Sequence, residues 1–157
     1  MQRSDHKLKI VQWNACGILN KKIEFENFLN ANNVDICLLN ETLLNQKNKS
    51  KLKILNYKIY RNDSGRGTAI LIKNNIFHYE FPILNLVEVE ATGIKIKIKN
   101  QLISVISVYN SPSNKFNKND FDKIFNSSQI IFTAGDFNAK HRAWGSRIDD
   151  TVGKKIV

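Results

Sequence analysis

The sequence predicts an α+β sandwich, with mostly antiparallel sheets covered by helices. Three observations predict it: many short runs of strand character, only two clear helical runs, and no internal repeat or linker. At 157 residues the chain is read as one domain, 1–157, with room for a proper core.

The elements follow in order. LKIVQWN (8–14) reads as a strand. KKIEFENFLNAN (21–32) places Ile23, Phe28 and Leu29 near helical spacing with Phe25 alongside, and Asn32-Asn33 closes it. VDICLLNE (34–41) is an almost continuous apolar run, the mark of a strand buried on both faces. A polar loop or frayed helix follows (44–52). YKIYRND (57–63) and GTAILIKNN (67–75) form a hairpin around Ser64-Gly65-Arg66. FHYEFPI (77–83) is broken by Pro82 and belongs at an edge. Residues 86–110 are expected to hold three strands, punctuated by Gly93 and by Asn100-Gln101. NDFDKIFN (119–126) is a short helix with Asn119 or Asp120 as N-cap, and QIIFTAGD (129–136) is another buried strand. The last run, RIDDTVGKKIV (147–157), shows no stop signal and no packed end.

Composition narrows the function classes. The chain is 42% hydrophobic and 24% charged, with no apolar run of membrane-spanning length. The polar start MQRSDHKLK lacks a signal-peptide core, so a nuclear or cytoplasmic, non-secreted protein without a membrane partner is expected. Cys16 and Cys37 lack metal-ligand spacing and suit reduced thiols. A formal charge of +10 favours polyanions, nucleic acid first and anionic membrane second. A genome rich in Lys and Asn codons is the plainer account of the same excess.

Several strands end in acidic or hydrogen-bonding groups. Asn14 stands in QWNACG, Glu41 in LLNET, Tyr109 in VYNSP, and Asp136 and Asn138 in GDFNAKH. Two carboxylates, two amides and a phenol make an oxygen-rich set suited to a hard cation, Mg²⁺ or Mn²⁺, and a phosphate. Phosphodiester hydrolysis needs charge stabilised on phosphoryl oxygens, an activated water and help for the leaving group. Each residue also has a plain reading. Glu41 can simply reach solvent at a strand end, Asp136 and Asn138 can cap a turn, Asn14 can be a turn residue, and Tyr109 can be core.

These four motifs, in this order, resemble those of the endonuclease/exonuclease/phosphatase family, which includes deoxyribonuclease I and apurinic/apyrimidinic endonucleases. The extended run GDFNAKHRAWGS, with RGTAILIK (66–73), is similar to the endonuclease domain at the N-terminus of jockey-like non-LTR retrotransposon proteins of arthropods. The resemblance implies a two-sheet, four-layer sandwich. It implies that Glu41 binds the divalent metal and that Asn14 helps position metal and phosphate. Tyr109 would contact the phosphate, Asp136 would align the attacking water, and Asn138 would assist at the phosphate. It implies DNA nicking that leaves a 3′-hydroxyl for target-primed reverse transcription, with a reverse transcriptase domain in cis.

Two departures stand out. Cys16 occupies a position where many relatives carry Asp or Asn, and a thiol is a poor ligand for a hard cation. The family's late Ser-Asp-His motif is not in the chain, so it reads as the N-terminal part of such a domain, incomplete at the C-terminus, with apolar strand edges exposed. The alternatives are an inactive remnant that at most binds nucleic acid, or a same-fold phosphoesterase acting on lipids, inositol phosphates or RNA. The basic loop Lys140-His141-Arg142 offers DNA contacts, or is solvated; Trp144 anchors its loop, or stacks on a base. Trp13 is expected in the core. IKIKIK (94–99) sets Lys95, Lys97 and Lys99 on one strand face, and Lys47, Lys49, Lys51 and Lys53 form a second basic stretch; both are usually solvated.

Overall fold

The computed structural model describes residues 7–156; residues 1–6, with His6 and most of the polar start, and Val157 lie outside the described residues. Among the described residues two four-stranded sheets form. In the first, β1 (Ile10–Asn14) lies parallel to β2 (Ile36–Asn40), β2 pairs antiparallel with β4 (Thr68–Lys73), and β3 (Tyr57–Asn62) closes the far edge. In the second, β5 (His78–Glu80), β6 (Val89–Ile98) and β7 (Gln101–Asn110) run antiparallel, and β8 (Ile131–Asp136) lies parallel to β7. The helices are α1 (Lys22–Ala31), α2 (Lys118–Phe125) and the short α3 (Gly153–Ile156). Each sheet thus carries one parallel pair at an edge, β1–β2 and β7–β8.

Side-chain alternation sorts the core into three clusters. Ile36 and Leu38 of β2 and Ile70 and Ile72 of β4 meet Ile94, Ile96 and Val105 of the second sheet between the layers. The intervening residues Cys37, Leu39, Ala69 and Leu71 face outward onto Phe25 and Leu29 of α1. On the far side, Val89, Ala91, Ile106 and Val108 meet Phe121 and Ile124 of α2. The order is helix, sheet, sheet, helix, as the expected four layers require. Each large aliphatic side chain buried in this way contributes roughly 2 kcal/mol.

The β2 run is buried throughout, as its unbroken apolar character predicts. Burial pushes the Cys37 thiol up to about 12. Both cysteines are free, with Cys16 exposed. The 94–99 alternation holds as well: Ile94 and Ile96 are buried while Lys97 is exposed. Trp13 is half-buried, stacked on Phe25 with centroids 5.4 Å apart.

Five expectations are corrected. Residues 86–110 hold two strands, because β6 runs straight through Gly93. That glycine marks a close approach, where a Cβ would strike the Phe81 carbonyl. The cap of α2 is Asn117, whose side chain accepts from the amides of Asn119 and Asp120. The strand ending at Asp136 is an edge strand, with Phe132 exposed. In α1 the buried pair is Phe25 and Leu29, four residues apart, while Ile23 and Phe28 face solvent. Near the end, α3 forms where none is expected, and Ile156 packs against the third cluster.

Candidate active site

The two parallel pairs run toward a common place. Inward-facing positions on β1 (Ile10, Gln12, Asn14) and β2 (Ile36, Leu38, Asn40) end in amides rather than aliphatics. On the second sheet the inward row ends at Tyr109 on β7 and Asp136 on β8, which are register partners. Asn40 joins the sheets. Its Oδ1 accepts from Gln12 Nε2 at 2.8 Å and from the Asp136 backbone amide at 2.9 Å. Its Nδ2 donates to the Val108 carbonyl at 3.0 Å and to Ser107 Oγ at 3.3 Å. A fully buried amide with all its capacity used is a rigid joint.

On this joint, Asn14 sits between two carboxylates. Its Nδ2 donates to Glu41 Oε1 at 2.8 Å and to Asp136 Oδ2 at 3.0 Å. Its Oδ1 accepts the Cys16 amide at 3.2 Å, so Asn14 turns its donor face to the acids. Glu41 follows β2 in a left-handed turn, φ 51°, and Cys16, Leu43 and Asn138 in the surrounding loops are left-handed too. Non-glycine residues hold this conformation at a cost, and its clustering here marks loops shaped by their surroundings. The loop after β1 is tied to the loop after β2 by Gly17 N–H to the Glu41 carbonyl, 2.9 Å, and Ile18 N–H to the Thr42 carbonyl, 3.1 Å.

Arg66 completes the set. Its Nε donates to Glu41 Oε2 at 2.9 Å, and its Nη2 donates to the same oxygen. Burial pushes the Glu41 carboxyl up. The hydrogen bonds from Asn14 and Arg66 and the Arg66 charge outweigh it, leaving Glu41 below the usual carboxylate range. Burial, followed by the Glu41 charge, raises the Tyr109 phenol, which is almost wholly buried beside that carboxylate.

Asn14, Glu41, Tyr109 and Asp136 are therefore brought together. Asn138 is adjacent through its backbone: its N–H donates to Asp136 Oδ1 at 3.1 Å, while its Nδ2 donates to the Asn110 carbonyl at 2.9 Å. Lys140, His141 and Arg142 lie in the following loop and make no bond to the acids that the structure shows. His141 Nδ1 instead accepts the Ala143 amide at 3.1 Å, and its ring lies 5.3 Å from the half-exposed Trp144. Asp136, Asn138, Lys140 and Trp144 line a cavity of about 730 Å³.

Sequence reading gave no role to Asn40, Arg66 or Asn110. Asn40 had a signal, an amide at an inward position of an apolar strand. Arg66 stood in a quoted run, with no sign of where it would reach. Asn110 closes the turn beyond β8 by donating from Nδ2 to the Phe137 carbonyl at 3.1 Å.

Among the described residues no group of three or more His, Cys, Asp or Glu side chains is placed to hold a metal. The oxygen donors present still fit Mg²⁺ or Mn²⁺, because such ions bind through one or two carboxylates and fill the rest of the shell with water and phosphate oxygens. They do not suit a soft ion, because the groups gathered around Asn14 present carboxylate, amide and phenol oxygens and no thiolate.

The chain resembles known proteins in sequence and in fold. The chain is 27% identical over 158 residues to the probable RNA-directed DNA polymerase from transposon BS of Drosophila melanogaster, covering 96% of this chain. It is 27% identical over 155 residues to the RNA-directed DNA polymerase from mobile element jockey of the same species, covering 95% of this chain. It spans 17% of the length of each of these two relatives. The fold matches the endonuclease domain of TRAS1, a telomere-specific non-LTR retrotransposon, with a TM-score of 0.75 at 17% identity, over 96% of this chain and 68% of that one. The model of the endonuclease/exonuclease/phosphatase family matches residues 11–155, and the chain belongs to that family.

Proposed function

We propose that the site hydrolyses a phosphodiester bond of DNA with the help of Mg²⁺ or Mn²⁺, as the nicking part of a retrotransposon protein that carries a reverse transcriptase in cis. One observation carries the reading: a single amide, Asn14, holds two carboxylates from different sheets side by side at the ends of parallel strands. Glu41 would hold the cation with Asp136 beside it, and the bound cation would neutralise charge on the phosphoryl oxygens.

The residues divide the remaining work. Asp136 orients a water and takes one of its protons on a carboxylate oxygen. The water oxygen bonds to phosphorus as the bond to O3′ breaks, and O3′ takes a proton from solvent to leave a 3′-hydroxyl. Asn14 Nδ2 and the Tyr109 hydroxyl donate toward the acids at rest and toward a phosphate oxygen when one is present. The backbone amide of Asn138 fixes which way Asp136 faces. Lys140, His141 and Arg142 extend basic groups from the next loop toward the flanking backbone, where DNA carries its charge.

The test is plasmid nicking with Mg²⁺ by this chain, by Glu41→Ala and by Asp136→Ala. Nicking reduced about 100-fold or more in both variants supports the assignment. Nicking indifferent to both overturns it. A folded chain that binds DNA without nicking it favours a binding role. That second reading draws on the described histidines, both of which have other partners: His141 caps its turn, and His78 stacks edge-on against Tyr60.

A further inference from the structure

Arg66 stands between two glycines, and its loop is held from both sides. Glu90 Oε1 accepts the Arg66 amide at 3.0 Å and Oε2 accepts the Gly67 amide at 2.7 Å. In return, the Arg66 carbonyl accepts from Leu43 N–H at 2.9 Å and the Gly67 carbonyl from Thr42 N–H at 3.2 Å. Gly67 is left-handed, φ 90°, and a Cβ there would strike Thr42 Oγ1; a Cβ on Gly65 would strike Glu90. One carboxylate from β6 and two amides from the Glu41 loop thus present the backbone of Arg66 to Glu41. The side chain is less constrained. It is 47% exposed, against 13% for Glu41, and both of its bonds go to Oε2.

A guanidinium on the metal carboxylate does two things. It neutralises Glu41 when no cation is present, and it lies in the way of one. A divalent ion taking Oε2 must displace it. The displaced group keeps a fixed backbone, a half-exposed side chain and a planar fork of donors suited to phosphate oxygens.

We propose, resting on the phosphodiesterase reading above, that Arg66 is a displaceable internal cation. It holds Glu41 in the metal-free protein, competes with the divalent ion for that carboxylate, and passes to a substrate phosphate oxygen once the ion is bound.

The experiment measures Mn²⁺ binding through the spectroscopic signal of the free ion, for the protein, Arg66→Ala, Arg66→Lys and Glu41→Gln, each checked for folding by circular dichroism. In parallel, binding of a short DNA duplex is measured with Mn²⁺ present. Arg66→Ala is expected to bind Mn²⁺ roughly three- to fivefold more tightly, the scale of a part-exposed ion pair, and the duplex more weakly. Arg66→Lys, a single-point donor, falls between. Unchanged or weaker Mn²⁺ binding in Arg66→Ala, with binding lost in Glu41→Gln, overturns the role of Arg66 and leaves the metal assignment standing. Tighter Mn²⁺ binding with unchanged duplex affinity overturns the passage to phosphate. Mn²⁺ binding unaffected by Glu41→Gln overturns the metal assignment itself, and this proposal with it.

Discussion

Asn40 Oδ1, on one sheet, accepts the backbone amide of Asp136, on the other, at 2.9 Å. The bond sets the height of the second acid above the sheet joint. Asn40→Ala removes it together with three further bonds of the same amide. Leaving those buried partners unsatisfied is expected to cost about 3 kcal/mol, read as a lower urea midpoint. Nicking should fall with it, even under conditions where the variant is fully folded. Retention of full activity by the folded variant would show that Asp136 does not depend on this bond.

Gly135 precedes that acid at the β7–β8 pairing, and a Cβ there would strike the Val108 carbonyl. The obstacle is backbone, so it cannot rotate away. Gly135→Ala is expected to force the strands apart and lower the melting temperature, with protection from hydrogen exchange lost first along β8. Slow exchange at Phe132 and Ala134 in this variant would contradict the expectation.

Asp120 is fully buried on α2, and its carboxylate accepts the amides of Val87, Glu88 and Val89 at 3.1 Å or less. Those amides lie just before and at the start of β6. Asp120→Ala leaves them without an acceptor and is expected to cost about 4 kcal/mol, since hydrogen bonds to a charged group are the strong ones. Asp120→Asn keeps acceptor oxygen and should lose less. Equal losses in equilibrium unfolding would assign the effect to packing alone.

Cys37 and Cys16 should behave oppositely. The Cys37 thiol is pushed up to about 12 from an ordinary value of 9.0. The folded state therefore holds its proton more tightly than the unfolded state. That contribution to stability is complete below pH 9 and is lost as pH rises from there through about 12. Unfolding measured along this range should show a falling midpoint, with a shallower fall in Cys37→Ala. In native protein at neutral pH a thiol reagent should label the exposed Cys16 and leave Cys37 unmodified. Equal labelling would contradict the buried position of Cys37.

Much of the architecture was legible because side-chain alternation is local. The unbroken apolar run of β2, the Lys and Ile alternation of β6 and the Pro82 break beside β5 each carry their own signal. The misreadings came where a long-range contact decides. Gly93 looks like punctuation until the Phe81 carbonyl arrives over it. Asn117 caps α2, while the carboxylate of Asp120, one of the two expected caps, is spent on the amides at the start of β6. The same division runs through the site. Asn14, Glu41, Tyr109 and Asp136 announce themselves as polar groups at strand ends, and the structure gathers them. Arg66 could not be placed from sequence, since its reach to Glu41 depends on a loop held by Glu90, 24 residues away.

Asn14 and Asp136 touch across 122 residues of chain. At ribosomal speed that separation takes on the order of ten seconds to cross. Through the later part of that interval a nascent chain carries Glu41 and Arg66 but not Asp136, so that ion pair can form before the second acid exists. The gathering of the two carboxylates around Asn14 is thus postponed until both sheets have been made and joined.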